Sequence, residues 1–390
     1  MIKTPARLSV RLPDASGNLV EYGLSMESPL PAIAGATFHS RVAYAAAHVI
    51  TDAPPTSGQN PKIDLEATLS FRRRLWSLGF GLAEAMDTAQ RGMGLDWTSA
   101  QELIRESCAE ARAGRLPIAC GANTDQLPTS DANIDAVVAA YEEQCSFIES
   151  VGGRIILMAS RSLARAARDA GDYLRVYNRL LSQVSQPVIL HWLGEAFDPA
   201  LAGYWGSADV GANMETCLRL IRENTAKVDG IKISLLDKTR EVEMRRRLPA
   251  GVRMYTGDDF HYPELIEGDE AGYSDALLGI FDGIAPAASL AFQELDRGDH
   301  SAYRNLLLPT LPLSRHIFQQ PTYHYKTGLA FLSYLNGYQE HFRMLGNQQT
   351  ARSVEHLAIL FRLADQARLL ADPELAVERM RTFLTDAGTL

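Results

Sequence analysis

The chain has 390 residues, 46% of them apolar and 22% charged, with a formal net charge of −9. That balance suits one large globular domain or two ordinary ones and excludes extended disorder. The acidic charge without a long basic patch argues against nucleic-acid binding, and no apolar run is long enough to span a bilayer. The four cysteines, Cys108, Cys120, Cys145 and Cys217, lie far apart with no CxxC pair, and the N-terminus lacks a signal-type apolar region. A reduced, soluble, cytoplasmic protein is the expectation.

In chain order, Leu8, Val10 and Leu12 alternate, Asp14–Asn18 is turn chemistry, and Leu19–Tyr22 resumes the pattern. Residues 1–30 therefore read as a β-hairpin cap. Eight short apolar runs follow: Val42–Ile50, Leu78–Glu84, Leu116–Ala122, Arg154–Ala159, Pro187–Trp192, Val228–Ile233, Val252–Thr256 and Leu278–Ile284. Helix-period segments such as Ser99–Ala113, Ala132–Ser150 and Met214–Thr225 lie between them. This rhythm predicts an α/β fold, a (β/α)8 TIM barrel over residues 31–286. A doubly wound sheet is the alternative, but Ala45–Asp52 lacks the Gly-rich phosphate turn expected after its first strand. From Ala287 to Leu390 the chain reads as a helical extension packed on the barrel, broken at Pro309, Pro312 and Pro321.

One strand carries an anomaly. Lys232 stands inside the apolar run Val228–Asp237, where an unpaired ammonium must reach a polar pocket or lose its proton. A neutral lysine amine attacks carbonyl carbons to form an imine. In a barrel, chemistry collects at the C-terminal strand ends. Here those ends hold His48, Glu84, Asn123 with Asp125, Ser160 with Arg161, His191, Lys232, and the group Asp258, Asp259 and His261.

The Gly230-Ile231-Lys232 strand, the Pro187–Trp192 strand before it and Thr256-Gly257-Asp258-Asp259 after it resemble the dihydrodipicolinate synthase and N-acetylneuraminate lyase superfamily of class I aldolases. Arg115–Asn123, Leu278–Ile284 and the helical tail from Pro321 into Thr322–Gly337 extend the likeness over residues 35–340. Within that superfamily the chain is most similar to an uncharacterised bacterial dihydrodipicolinate-synthase-like subgroup. The resemblance implies that Lys232 is the Schiff-base lysine and that Asp258 and Asp259 line the site. It implies further that His191 stands where the family has a proton-relaying tyrosine. The family's threonine pair after strand two is replaced by Gly81–Glu84, and its strand-four tyrosine motif by Met158–Arg161. These departures argue against dihydrodipicolinate synthesis itself.

The expected function is a Schiff-base-forming lyase or aldolase acting on a small carbonyl compound, sugar- or polyol-derived, with no cofactor beyond the imine on Lys232. Lys232, His191, Glu84 and Asp258 are the expected catalytic residues. His48, Asn123, Asp125, Ser160, Arg161, Asp259 and His261 are expected to bind substrate, and Arg161 or Arg91 to clamp a carboxylate. Two alternatives use the same rim. A divalent-metal isomerase or hydrolase would draw on His48, Glu84, His191, Asp258 and His261, and an inactive barrel would only bind a ligand. By resemblance, the chain forms a homo-oligomer, a dimer or tetramer. Tyr323, His324 and Tyr325 are placed to close over the barrel mouth.

Overall fold

The computed structural model describes residues 8–14, 16–52 and 61–389; residues 1–7 of the predicted hairpin segment, Ala15 in its turn, and the terminal Leu390 lie outside them. Strands β1 (Ser9–Pro13) and β2 (Leu19–Gly23) form the predicted antiparallel hairpin. It packs on the C-terminal helices Val354–Gln366 and Pro373–Asp386 rather than on the barrel: Tyr22 donates to Asp365 at 2.7 Å, and Arg381 donates to the Ser9 carbonyl at 2.7 Å.

Strands β3 (Ala43–Ala46), β4 (Gly81–Glu84), β5 (Ile118–Ala122), β6 (Arg154–Leu157), β7 (Val188–Leu193), β8 (Val228–Ser234), β9 (Arg253–Thr256) and β10 (Asp275–Leu278) form a closed barrel in sequence order, with β10 pairing back on β3. All the barrel pairings are parallel. Strands buried on both faces need apolar residues at successive positions, which is why seven of the runs stood out in the sequence. The eighth prediction, Leu278–Ile284, is corrected. The strand is Asp275–Leu278, and Phe281 already begins the helix Phe281–Asp296. The strand start was hidden by a charge: Asp275 is buried, accepts from the Val42 amide at 2.7 Å and pairs with Arg253 at 2.8 Å.

Each strand leads into one or more helices: Leu65–Ser77, Trp97–Gly114, Ile134–Ser150, Ala170–Gln183, Val210–Glu223, Lys238–Arg245, Tyr262–Glu267 and Phe281–Asp296 are the principal ones. Asp64, Asp96, Asn133, Asp169, Asp209 and Asp237 cap six of these by accepting from first-turn amides. Period-two alternation then divides the apolar residues. Tyr44, Ala46, Ala83, Ala119, Ile156, Ile189, Tyr255 and Leu277 fill the lumen, and the odd-facing neighbours pack against the helices. The last barrel helix spans residues 286 and 287, where the sequence reading divided barrel from extension.

The extension lies against the loops that follow the strands. Thr88 and Tyr325 share a hydrogen bond of 2.9 Å, Gln90 donates to the Leu345 carbonyl at 2.9 Å, and Ser314 donates to the Asp259 carbonyl at 2.6 Å. Every residue of the helix Tyr325–Leu335 is buried. This extension forms part of the wall of the barrel mouth.

Candidate active site

On β7 and β8 the register pairs His191 with Lys232 and Leu193 with Ser234. Ile189 belongs to the lumen, so His191 and Leu193, two and four residues on, share its inward face. Lys232 and Ser234 face inward in the same way, beside Gly257. A Cβ at position 257 would overlap Ser234 Oγ and come within 2.9 Å of Lys232 Cε. The glycine after β9 is therefore what leaves room for the lysine.

Lys232 is 8% exposed, and its ammonium makes no hydrogen bond or ion pair among the described residues. Burial lowers its pKa, against the opposing fields of Asp259 and Asp87. Asp259 is buried, accepts from the Ile280 amide at 3.1 Å, and is pushed up to about 7 by burial, with Lys232 opposing. Both groups are driven toward their neutral forms, because taking charge out of water costs more than their separated attraction returns. His191 Nε2 lies 3.3 Å from Ser234 Oγ, while Nδ1 is buried with no protein partner among the described residues. Burial and the nearby Lys232 hold this imidazole well below its ordinary pKa, so it is neutral at pH 7.

One layer further along the barrel axis, about 6–7 Å by the strand rise, a cavity of about 220 Å³ opens between the loops after β4, β5, β6 and β7. Leu193, Asp87, Asn123, Asp125, Arg161 and Asp198 are among its lining residues, whereas Lys232 and His191 are not. Asp87 links the two levels, since it lines the cavity and acts on Lys232. Asp125 accepts from Arg91 Nε at 3.0 Å; burial opposes its ionisation, but Arg91 and Gln144 hold it below the usual carboxylate range. Arg161 pairs with Asp198 at 2.5 Å.

The structure brings Lys232, His191 and Asp259 together and sets Asn123, Asp125 and Arg161 in the cavity wall above them. It separates the others. Ala83 faces the lumen, so Glu84 faces out. Glu84 is wholly buried against Arg72, at 2.9 and 3.0 Å, and accepts from Ser107 at 2.7 Å. It is a structural ion pair, not a lumen acid or base. His48 is likewise corrected: Nδ1 meets Asp282 at 2.7 Å and Nε2 meets Gln339 at 2.9 Å, which ties the strand end to the extension. Asp258 accepts from the Phe260 and His261 amides at 2.8 and 3.1 Å and pairs with His261 Nδ1 at 2.8 Å. Those two residues fix the loop after β9. Ser160 caps the short helix Arg161–Ala166 and lies 2.5 Å from Thr124 Oγ1. The proposed metal ligands are thus dispersed, and no group of three or more His, Cys, Asp or Glu with metal-holding geometry occurs among the described residues.

Sequence reasoning missed Asp87, Ser234 and Lys326. Ser234 was accessible through alternation from Lys232. Asp87 lies three residues beyond its strand, where periodicity carries no signal. Lys326, buried on the helix Tyr325–Leu335, reaches a recess beside Asp87, Arg161 and Asp198 from a helix distant in sequence.

The sequence model of a family described as "Protein of unknown function (DUF993)" matches residues 10–389. No curated protein matches the sequence. Solved structures share the fold. The dihydrodipicolinate synthase of Aquifex aeolicus is 14% identical, with 85% of this chain and 99% of that chain covered at a TM-score of 0.63. A prophage protein of the dihydrodipicolinic acid synthase family from E. coli K12, solved with pyruvate, is 14% identical over 90% of this chain and 99% of that chain, with a TM-score of 0.63. The 4-hydroxy-tetrahydrodipicolinate synthase of Methylacidiphilum fumariolicum SolV is 16% identical over 89% and 98%, with a TM-score of 0.62. The chain belongs to the DUF993 family.

Proposed function

For this DUF993 member with a dihydrodipicolinate-synthase-like barrel, we propose a class I aldolase-type lyase that forms an imine between Lys232 and a small carbonyl substrate. The observation that carries this reading is a lumen lysine without an ion-pair partner, beside a carboxyl group raised to about 7. The neutral amine of Lys232 attacks the carbonyl carbon, and the proton shed by the nitrogen passes to the carbonyl oxygen to give a neutral carbinolamine. Asp259, in its acid form, then protonates the departing hydroxyl, so water leaves and a protonated imine faces an aspartate. That cation draws electrons from the neighbouring carbon and permits cleavage or formation of a carbon–carbon or carbon–oxygen bond.

His191, neutral and next to Lys232, supplies an acceptor on the same face, and Asp87 supplies a carboxylate on the cavity side. The polar wall of Asn123, Asp125, Ser162 and Asp198 suits a hydroxyl-bearing, sugar- or polyol-derived compound. The departures at the threonine and tyrosine positions keep dihydrodipicolinate synthesis itself out of this proposal.

Borohydride reduction in the presence of pyruvate, glyoxylate, glycolaldehyde or succinic semialdehyde, followed by peptide mass spectrometry, tests the reading. A reduced adduct is expected on Lys232 and lost in Lys232→Met. Adducts from none of these probes, or adducts spread over surface lysines only, sink it.

A further inference from the structure

The 220 Å³ cavity continues into a recess of about 20 Å³, and the two share Asp87, Arg91, Arg161, Leu193 and Asp198 as walls. The far side of the recess comes from the C-terminal extension: Tyr323, Tyr325 and Lys326. Its volume takes one water or one oxygen of an anionic group whose remainder lies in the larger cavity.

Lys326 is 4% exposed, and the acceptor its ammonium meets is the thioether of Met93 at 3.0 Å. A thioether is a weak acceptor and an ammonium has three donors, so this cation is buried with most of its hydrogen-bonding capacity unmet. The other cations of the recess are committed, Arg91 to Asp125 and Arg161 to Asp198. Asp87 acts on Lys326 through its field and makes no side-chain hydrogen bond among the described residues, being half-buried and open to water; Asp198 adds to that field and Arg161 opposes it, neither in contact with the ammonium. Among the described residues lining the recess, Lys326 is therefore the cation without a carboxylate partner. Burial also brings its amine down to about 8, a penalty that an incoming anion relieves.

We propose that Lys326 binds an anionic oxygen group of the substrate, so that the extension completes the site and selects carbonyl compounds that also carry an acid. The proposal rests on the imine reading only in taking the cavity to be the substrate site. Arg91 and Arg161, which the sequence suggested as a carboxylate clamp, stay in their existing ion pairs.

Two measurements on the full chain decide the matter. In the first, Lys232 is trapped by borohydride with succinic semialdehyde or with butanal, which share an aldehyde but differ by a carboxylate. The wild type is expected to be labelled about tenfold faster by the acid-bearing aldehyde, a factor equal to about 1.4 kcal/mol. Lys326→Met abolishes that preference while butanal labelling persists, and Lys326→Arg keeps it. In the second, succinate, which has no reactive carbonyl, is titrated calorimetrically. Lys326→Met is expected to weaken it by about tenfold, with an unchanged melting midpoint confirming the fold. A wild type that labels equally fast with both aldehydes, or succinate that fails to bind or binds both proteins alike, overturns the proposal. Should neither aldehyde label Lys232, the imine reading fails, and the succinate titration still judges Lys326. Should Lys326→Met not fold, the wild-type preference and its retention in Lys326→Arg decide.

Discussion

At the scale of single residues, parity decides function on a barrel strand. Ala83 and Glu84 are neighbours, yet one fills the lumen and the other is sealed against Arg72 outside it. The same rule puts Gly230, Lys232 and Ser234 on one inward face. Within the site, Asp259 raises the Lys232 pKa while burial lowers it. Removing that negative field leaves burial unopposed on this side, so Asp259→Asn shifts the lysine further toward the free amine. The midpoint of borohydride trapping against pH is expected to fall. The plateau rate is expected to drop, because the acid that protonates the leaving hydroxyl is gone. An unchanged midpoint would show that Asp259 does not act on the lysine.

At the scale of elements, the helix Lys238–Arg245 brings a carboxyl group into the barrel wall. Glu241 is fully buried and accepts from Thr256 at 3.0 Å and Ser274 at 2.7 Å, stitching that helix to β9 and to the start of β10. Burial, aided by Asp258, pushes it from 4.5 up to about 8. The folded chain thus keeps a proton that the unfolded chain releases near its ordinary value. The unfolded state then binds fewer protons across the window between those values, and stability falls as pH rises through it. Glu241→Gln removes this titration. Its melting midpoint is expected to gain on the wild type as pH rises from 5 to 9, by the equivalent of a few kcal/mol at most, as read by calorimetric scans. A constant difference across that range would refute the assignment.

At the scale of the whole molecule, barrel and extension form one packed body. His48 reaches Gln339, Thr88 reaches Tyr325, and the hairpin of β1 and β2 rests on the last two helices. Ending the chain at Gln320 would remove the wholly buried helix Tyr325–Leu335 and expose the apolar residues beneath it, among them Ile317 and Phe318. Each Å² of apolar surface so exposed costs about 25 cal/mol, against a total stability of only about 5–15 kcal/mol for a domain. The truncated chain is expected to be insoluble or to melt without a cooperative transition, whereas the full chain shows one. A soluble, cooperatively folding truncation would mean that the extension is dispensable. No helix among the described residues is long and apolar enough to cross a membrane.

The barrel was legible in the sequence because strands buried on both faces must be apolar throughout, and helices with caps and periodic faces must separate them. Lys232 was legible for the same reason in reverse, as a charge where none belongs. The eighth strand was misplaced because Asp275 broke its apolar pattern, and Glu84 and His48 were misassigned because a strand end names a residue without saying which way it points. What only the tertiary structure decided are meetings across long stretches of chain. Asp259 acts on Lys232, His48 is claimed by Asp282 and Gln339, and Lys326 reaches a cavity built by distant loops. Periodicity records which face of an element is buried, and it carries no information on which distant element covers that face.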